Sequence, residues 1–480
     1  MSAGSATRAP GAADPAAAPP AVQGIRATRD LLAHGAVSVV DHVQAALAAV
    51  RAHDPGINAF VSVAGEEALR AAEAADARIR TLGPAAWRDQ PLLGVTISVK
   101  DLIQTRDLPT SRGSLLDNPR PRADTPAVAR LRAAGAVIIG KTTTSEYGWS
   151  ASTLCRVSAT TRNPWNRDLT AGGSSGGAAA AVAAGLCAAS LGTDGSGSIR
   201  IPAAFCGVVG FKPSFGKVPY VPSGADRLAH VGPIAADVAD VAELAALLTG
   251  PDRCDPDSAL GSLDAPREPR ALRIGWIEYP GTSAQVRKVT ERAWPVLTAQ
   301  GHRIEQVEVR CKDLYPALVD ILAATEAAGT PPQHDEHCDP GRLAVVRHGR
   351  TLSGATVMRA EEVRHSLRTT LRSVMHSYDL LVMATVPIPP FEAEAIGPAW
   401  AADPAALLWL AWAPASYPFN MTGQPAISLP AGLTPAGLPV GLQLVGPVGA
   451  DDLVLSTAAR IEAALGPLPA PPARIPERTA

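Results

Sequence analysis

The chain has 480 residues, a formal net charge of −2 and a sequence pI of about 6.6. Its lysine and arginine residues are dispersed, so the charge pattern provides no concentrated surface for nucleic acid or for an anionic membrane. The length fits two or three domains, or one large α/β domain. We therefore expect a small-molecule partner, no nucleic-acid partner and no membrane partner, and the sequence leaves a homodimer open.

The two ends of the chain differ in composition from its middle. Residues 1–21 are rich in Ala, Pro and Gly and lack the continuous apolar core of a signal peptide, which predicts a disordered extension. Residues 471–480 are predicted to form a Pro-rich tail. The longest apolar run, Ala405–Ala415, is interrupted by proline and is shorter than the roughly 20 residues that span a bilayer. These features predict a cytoplasmic protein.

The six cysteines are far apart and lack CxxC spacing, so we expect free thiols. The segment His334–Asp339 contains residue types that bind zinc, but the prolines around it are more typical of a solvated loop. The sequence therefore predicts neither a metal site nor a cofactor.

In the first part of the chain, helical periodicity gives way to a strand. Two helices are expected within residues 22–50, the second capped at Ser38, and another helix covers Glu66–Leu82. Alternating apolar residues predict a strand over Pro91–Lys100. Lys100 then ends the strand on the face opposite the apolar side chains. Taken alone, it would most simply be a surface cation paired with Asp101.

Helices and strands alternate from residue 125 onward. The predicted helices are Thr125–Ala134, Gly176–Ala184, Ile199–Phe205, Val238–Leu248, Ala284–Gln300 and Asp451–Ala464. The predicted strands are Gly135–Thr142, Leu186–Leu191, Ala271–Ile277, His302–Val309, Asp379–Val386, Ala426–Leu429 and Val440–Val445. No repeat or composition break divides the chain, which favours one α/β domain with helices over both faces of a large sheet.

The segment Gly135–Thr142 also matches the Walker A pattern of a phosphate-binding loop. Such a loop needs an open turn between its glycines, whereas Val137, Ile138 and Ile139 are typical of a buried parallel strand. We therefore interpret the segment as a strand and not as a nucleotide site.

Two glycine–serine clusters, Gly172–Gly177 and Gly195–Ser198, carry the pattern most suggestive of chemistry. A serine hydroxyl becomes a good nucleophile only when a base accepts its proton. The first cluster fits the G-x-S-x-G elbow formally, but a loop precedes it where that elbow needs a strand. The alternative base is Lys100, which would be a neutral amine if it were desolvated. Backbone N–H groups from Gly195 through Ser198 could then stabilise an oxyanion.

Ser198 also opens the short predicted helix Ile199–Phe205. The first N–H groups of a helix have no partner within it, so a serine hydroxyl at this position is expected to face free backbone donors.

These motifs resemble those of the amidase signature family. The similarity runs from about Leu31 to Ala464 and rests on the following segments: Val99–Asp101, Gly172–Gly177, Asp194–Pro202, Gly423–Ala426 and Gly437–Gln443. The resemblance implies one domain over residues 22–470, with a mixed, mostly parallel twisted β-sheet covered by helices on both faces.

The family's Ser-cisSer-Lys triad, carried over by position, implies Ser198 as nucleophile, Ser174 as bridging serine and Lys100 as base. The resemblance also implies an oxyanion hole formed by Gly195, Ser196, Gly197 and Ser198, and a cis peptide bond near Ser174. Further residues are expected to support this site without a chemical step of their own: Ser175, Asp194 and Arg200, the last two as an ion pair.

Two positions depart from the family pattern. Ser196 stands where the oxyanion loop commonly has glycine, and Leu169 stands where arginine often precedes the GGSSGG block. The hole uses backbone N–H groups, so we expect both differences to be tolerated while the shape of the loop changes.

The implied activity is hydrolysis of a carboxylic amide to a carboxylate and ammonia or an amine, through a seryl acyl-enzyme. The segment Leu228–Pro233 and the sequence Arg200-Ile201-Pro202 resemble stand-alone amidases more than the glutaminase subunit of the tRNA-dependent amidotransferase, which is the main alternative. Acyl transfer to an amine in a biosynthetic pathway is a second alternative. A pocket for an apolar, aryl or long acyl group is expected from aromatic residues: Tyr147, Trp149, Trp409, Trp412, Tyr417 and Phe419.

Overall fold

The computed structural model describes residues 24–222, 227–263 and 270–472. The predicted extension over residues 1–21 lies outside these residues, as does most of the predicted tail. In the described ranges, no helix has both the length and the apolar character needed to cross a membrane.

The strands form one large sheet and one small one. The large sheet has 11 strands in the order β1-β3-β2-β6-β8-β7-β12-β13-β11-β9-β10, and β4 pairs with β5 separately. In chain order the strands are β1 (Phe60–Val63), β2 (Thr96–Lys100), β3 (Val137–Thr142), β4 (Arg162–Asn163), β5 (Asn166–Thr170), β6 (Ala189–Asp194), β7 (Val209–Lys212), β8 (His230–Ala235), β9 (Arg273–Trp276), β10 (Arg303–Gln306), β11 (Leu380–Ala384), β12 (Ala426–Leu433) and β13 (Pro439–Val445).

Helices connect and cover the strands. They are α1 (Ile25–Ala33), α2 (Val39–His53), α3 (Gly65–Leu82), α4 (Ala86–Asp89), α5 (Pro126–Ala133), α6 (Gly176–Ala183), α7 (Arg200–Cys206), α8 (Val238–Leu248), α9 (Ala284–Thr290), α10 (Ala293–Ala299), α11 (Leu314–Gly329), α12 (Pro340–Thr351), α13 (Gly354–Ser377), α14 (Pro418–Met421) and α15 (Asp451–Leu465).

The large sheet is mixed, as predicted. Parallel pairing occurs in two blocks, β3-β2-β6 and β11-β9-β10, and antiparallel strands lie between them. Antiparallel pairs are the more numerous among the described strands, six against four. The first parallel block matters for the site because the carboxyl ends of its strands meet at one edge.

Helices cover both faces of the sheet, which confirms the predicted α/β architecture. Successive side chains of a strand point to opposite faces, so alternate residues of β3 enter different apolar clusters. Ile138 packs in the cluster that contains residues of α5, α8 and α15. Val137 and Ile139 pack with residues of α2, α3 and α6. The sheet is therefore buried on both sides.

Several sequence predictions are confirmed closely. The helix predicted over Glu66–Leu82 is α3, and the strand that ends at Lys100 is β2. The Ser38 hydroxyl caps α2 by accepting a hydrogen bond from the Asp41 N–H group at 3.0 Å. The segment that matched Walker A contains the fully buried strand β3, as predicted. All six cysteines are free thiols.

Other predictions need correction. The strand placed at Leu186–Leu191 runs over Ala189–Asp194, and the helix placed at Ala284–Gln300 is divided into α9 and α10. The sequence patterns also missed α11, α12 and α13, which form a helical layer between β10 and β11. These helices pack on one another and not on a regular sheet surface. Their apolar residues therefore show a weaker helical period, and the sequence is harder to distinguish from a loop-rich segment.

Gly177, in the first turn of α6, lies where the helix meets the sheet. A Cβ atom there would overlap the Thr143 hydroxyl and the Ala59 carbonyl oxygen. We expect Gly177→Ala to destabilise the fold by about 1–3 kcal/mol through overpacking, visible as a lower midpoint of thermal unfolding. Gly354→Ala is the control, because a Cβ atom at Gly354 would enter open space. Equal midpoints for the two variants would contradict the close packing of α6.

Candidate active site

The site lies at the edge where the parallel strands β2 and β6 end. Val99 of β2 is in register with Leu191 of β6, so Lys100 and Thr193 come close to one another just beyond that pair. The GGSSGG segment contacts both residues through Ser174 and Ser175, and α6 begins at Gly176. The strand ends therefore bring together residues that are 93 positions apart in the chain.

Lys100 is fully buried at this edge. Its Nζ atom lies 2.7 Å from Ser174 Oγ and 2.9 Å from Thr193 Oγ1. Burial lowers the pKa of Lys100 well below its usual value, and the negative charge of Asp194 opposes this only in part. The surroundings thus favour the neutral amine, which is the form able to accept a proton.

Ser174 is also buried, and the peptide bond that joins it to Gly173 is cis. This places the cis bond that the sequence could only assign to the neighbourhood of Ser174. Gly173 itself packs against the backbone of Ser152, too close for any side chain. The Ser174 hydroxyl is thereby held between Lys100 and the open side of the site.

Ser175 connects the two glycine–serine clusters. Its N–H group donates to the Ser198 carbonyl oxygen at 3.1 Å, and its hydroxyl donates to the Thr193 carbonyl oxygen at 3.0 Å. These bonds fix the start of α6 against the loop that carries Ser198. Ser175 thus links the GGSSGG segment to both the end of β6 and the loop that carries Ser198.

The loop Gly195–Ser198 is shaped by the carboxylate of Asp194. Asp194 Oδ1 accepts from the Gly197 N–H group at 2.7 Å, and Oδ2 accepts from the Ile199 N–H group at 3.1 Å. Gly197 has a φ of +122°, and a side chain there would collide with Ser416. The carboxylate therefore satisfies N–H groups at the start of α7, where the sequence had suggested the Ser198 hydroxyl as their neighbour.

One expected oxyanion-hole residue needs correction. The N–H group of Gly197 points at Asp194 and is not offered to a substrate. Gly195, Ser196 and Ser198 line the open cleft beside Ser174, and no bond in the described ranges occupies their N–H groups. The available donors are therefore those of Gly195, Ser196 and Ser198.

Asp194 and Arg200 form the expected ion pair, and both side chains are fully buried. Arg200 Nε donates to Asp194 Oδ2 at 2.9 Å. The guanidinium also donates to Asn420 Oδ1 at 2.6 Å and to Gln443 Oε1 at 2.8 Å. The nearby Arg200 charge and these hydrogen bonds hold the pKa of Asp194 well below its usual range despite burial. The pair stays ionised and fixes the loop from beneath.

An open cleft is lined by residues of both clusters. We call it the catalytic cleft; its lining includes Ser174, Thr193, Gly195, Ser196 and Ser198 on one side. Its other walls are mainly apolar or aromatic: Leu102, Tyr147, Trp149, Tyr220, Ala229, Leu322, Val345, Trp409 and Leu410. Three of the six predicted pocket aromatics, Tyr147, Trp149 and Trp409, therefore line it.

The other three predicted pocket aromatics lie elsewhere. Trp412 stacks on Phe205 in the apolar core, with ring centroids 6.1 Å apart. Tyr417 and Phe419 border a separate cavity near Tyr315. Their clustering in sequence reflects core packing, because the segment turns several times and only one side of it faces the cleft.

Sequence reasoning also missed residues that the fold brings to the site. Thr193 contacts Lys100, and only its position just before Asp194 could have suggested this. Asn420 and Gln443 hold Arg200, although Gln443 ends one of the motifs that carried the family resemblance. Leu322 and Val345 come from α11 and α12, which the sequence patterns did not reveal.

The segment His334–Asp339, which contains zinc-binding residue types, overlaps a short 3-10 helix, Pro332–His337. Asp335 pairs with Arg350 at 2.7 Å, and Asp339 caps α12 through the N–H groups of Gly341 and Arg342. In the parts of the chain that the structure describes, no three His, Cys, Asp or Glu side chains form a group suited to a metal ion.

A family model, Amidase, matches residues 41–455. The chain belongs to the amidase family. It is therefore an amide-hydrolysing enzyme, and the match covers every residue of the site described above.

The A-subunit of the glutamyl-tRNA(Gln) amidotransferase of Thermus thermophilus is 35% identical over 476 residues, covering 91% of this chain and 96% of the relative. Its counterpart in Rhodopirellula baltica is 35% identical and covers 86% and 91%.

Solved structures of amidase signature enzymes share the fold. A bacterial aryl acylamidase of the amidase signature family superposes with a TM-score of 0.84 and 27% identity, covering 92% of this amidase and 96% of that chain. A 6-aminohexanoate cyclic dimer hydrolase complexed with substrate gives 0.80 and 28%, covering 92% and 97%. The single-domain architecture is thus that of the family.

We expect Asp194→Asn to lower the free energy of unfolding by about 3–5 kcal/mol, because it leaves the Arg200 charge buried without its ionic partner. Chemical denaturation of the purified protein measures this. Glu394→Gln is the matched control: Glu394 pairs with Arg162 at a site where it is 65% exposed, and its loss should change the free energy by less than about 1 kcal/mol. Similar losses for the two variants would contradict a dominant role for the buried pair.

Proposed function

We propose that this amidase hydrolyses an amide with an apolar or aryl body through a seryl acyl-enzyme, with Ser198 as nucleophile, Ser174 as proton relay and Lys100 as base. The observation that carries this proposal is the 2.7 Å contact between the buried Lys100 amine and the Ser174 hydroxyl, together with the position of Ser174 and Ser198 in the lining of one cleft.

In the proposed acylation step, Ser198 Oγ attacks the amide carbonyl carbon. Its proton passes to Ser174, whose own proton passes to the neutral amine of Lys100. The carbonyl oxygen acquires negative charge, and N–H groups of Gly195, Ser196 and Ser198 are the donors available to it.

Collapse of the tetrahedral intermediate breaks the C–N bond. The proton held by Lys100 returns through Ser174 to the leaving nitrogen, which departs as ammonia or an amine. Water then attacks the Ser198 ester by the same relay, giving the carboxylate and restoring the free hydroxyl. Every proton taken up by Lys100 is thus returned within the cycle.

The walls of the catalytic cleft support an apolar substrate body. Leu102, Leu322 and Leu410 offer aliphatic surface, and Trp149 and Trp409 pack together with ring centroids 6.3 Å apart. The Trp409 indole N–H group donates to the Trp149 carbonyl oxygen at 2.9 Å, so Trp409 is fixed in place. A rigid aromatic wall of this kind favours a flat or extended acyl or aryl group.

A second candidate is release of ammonia from glutamine within an amidotransferase, favoured by the 35% identity to the A-subunit of the glutamyl-tRNA(Gln) enzyme. Glutamine carries both an α-ammonium and an α-carboxylate. Moving these charges from water to mainly apolar walls costs free energy. Glutamine therefore belongs in every substrate panel, and its cleavage in preference to aryl amides would favour this candidate.

We expect Ser198→Ala and Lys100→Ala each to lower kcat by at least about a thousandfold in an ammonia-release assay, since residues that act as a unit fail together. Exposed residues of the same types provide controls: Ser373→Ala and Lys288→Ala should keep wild-type rates. Full activity in either site variant would refute the mechanism.

The pH profile separates the base from a structural role. Lys100 accepts a proton only when neutral, so wild-type activity should rise as the pH increases through its lowered pKa and level off well below 10.5. In Lys100→Ala, hydroxide must replace the amine, so the residual rate should keep rising into the alkaline range. A flat profile in that variant would show that Lys100 acts only structurally.

We expect benzamide or an anilide to give a kcat/KM at least about tenfold higher than acetamide, because the larger body buries more apolar surface in the cleft. Ammonia or aniline release measures the ratio, and an added amine nucleophile in the same assay detects acyl transfer. Equal values for acetamide and the aryl amide would contradict the apolar pocket.

A further inference from the structure

A second cavity lies beside the segment that provides Trp409 and Leu410 to the catalytic cleft. We call it the tyrosine cavity, because Tyr279, Tyr315 and Tyr417 line it. Its volume is about 440 Å³, within the roughly 300–1,000 Å³ that is usual for small-molecule sites. It shares no described lining residue with the catalytic cleft. The tyrosine cavity is therefore a separate site and not an extension of the substrate space.

The three phenols that line the tyrosine cavity differ in their hydrogen bonding. The Tyr315 hydroxyl donates to the Leu407 carbonyl oxygen at 2.8 Å and accepts from the Leu410 N–H group at 3.3 Å. In the ranges that the structure describes, the hydroxyls of Tyr279 and Tyr417 make no hydrogen bond.

Tyr417 is the more informative of these two residues, because it is only 5% exposed. Burial raises its pKa, so the group stays a neutral phenol that can donate a hydrogen bond. Buried hydroxyls in folded proteins nearly always have a partner. A molecule held in the tyrosine cavity can provide the partner that the described protein groups do not.

The remainder of the lining is mainly apolar. Leu367 and Leu371 of α13 and the ring of Phe419 contribute to it, and the Tyr315 and Tyr417 rings lie with centroids 5.8 Å apart. Among the described lining residues, none is a lysine, arginine or histidine. An anion would therefore lose its water without gaining a cationic partner. The lining suits a neutral molecule with an aromatic body.

We propose that the tyrosine cavity is a second small-molecule site, which binds a neutral aromatic compound that carries one hydrogen-bonding group. The aromatic body packs against the rings of Tyr315, Tyr417 and Phe419, and the polar group accepts a hydrogen bond from the Tyr417 hydroxyl. This inference goes beyond the proposed amide hydrolysis and does not depend on it.

Cys311 provides a local test of occupancy, because it lines the tyrosine cavity and is partly exposed. Cys254 is exposed and does not line the cavity, so it is the internal control. The full-length wild-type protein is alkylated with iodoacetamide, with and without 2-naphthol at a concentration that calorimetry shows to be saturating. We expect 2-naphthol to slow alkylation of Cys311 at least about fivefold, since a covered thiol cannot react, and to leave the rate at Cys254 unchanged. Peptide mass spectrometry measures both rates.

A second measurement tests the hydrogen bond to Tyr417. Tyr417→Phe removes the hydroxyl and keeps the ring. We expect it to raise the Kd of 2-naphthol about fivefold, the loss of one neutral hydrogen bond, and not to raise the Kd of 2-methylnaphthalene, which has no such bond to lose. Tyr378→Phe is the matched control, because Tyr378 does not line the cavity, and it should leave both Kd values unchanged.

The charge preference needs no variant and so does not depend on how a substitution affects folding. We expect 2-naphthoate, which is an anion at neutral pH, to bind the wild-type protein at least about tenfold more weakly than 2-naphthol. Calorimetry measures the two Kd values.

Three results would overturn the inference: no binding of 2-naphthol up to its solubility limit, saturation that leaves Cys311 unprotected, or equal weakening of 2-naphthol and 2-methylnaphthalene by Tyr417→Phe. The probes contain no amide, and the measurements need no turnover. Failure here would therefore leave the proposed amidase function intact, and failure of that function would leave this site standing.

Discussion

The buried ion pair between Asp194 and Arg200 is the interaction on which the rest of the site depends. Asp194 ends β6 and Arg200 begins α7, so the pair closes the loop that carries Ser198. Asn420 and Gln443 bind the same guanidinium and connect it to α14 and β13. Charges removed from water are stable only when paired and fully hydrogen-bonded, and this pair meets both conditions. The loop Gly195–Ser198 is thus anchored to four separate elements, β6, α7, α14 and β13.

Burial disfavours the charged form of both Asp194 and Lys100, but their partners lead to opposite charge states. Asp194 has Arg200 and several N–H donors, so its pKa stays low and it remains an anion. Lys100 contacts only hydroxyls and a carbonyl through its amine, so burial dominates and its pKa falls. The same buried region therefore favours an anion at Asp194 and a neutral amine at Lys100. The difference lies in the partners and not in the depth of burial.

Part of the cleft wall comes from a region of the fold separate from the ends of β2 and β6. The layer formed by α11, α12 and α13 supplies Leu322, Glu326 and Val345 to the cleft. In the chain, this layer is inserted between β10 and β11. The overall fold is shared with a solved enzyme of the amidase signature family.

The sequence by itself predicted the α/β class, the strand that ends at Lys100, and the two clusters that provide Ser174 and Ser198. Alternation and glycine-rich turns are local signals, and the relevant residues lie within or just beyond such segments. Only the tertiary structure decided that Gly197 faces Asp194, that Trp412 and Phe419 belong to the core, and that Glu326 enters the cleft. Those outcomes depend on where α7, α11 and the segment around residues 400–420 pack. Contacts between segments that are distant in the chain produce no periodic pattern in the sequence, so they could not be predicted from it.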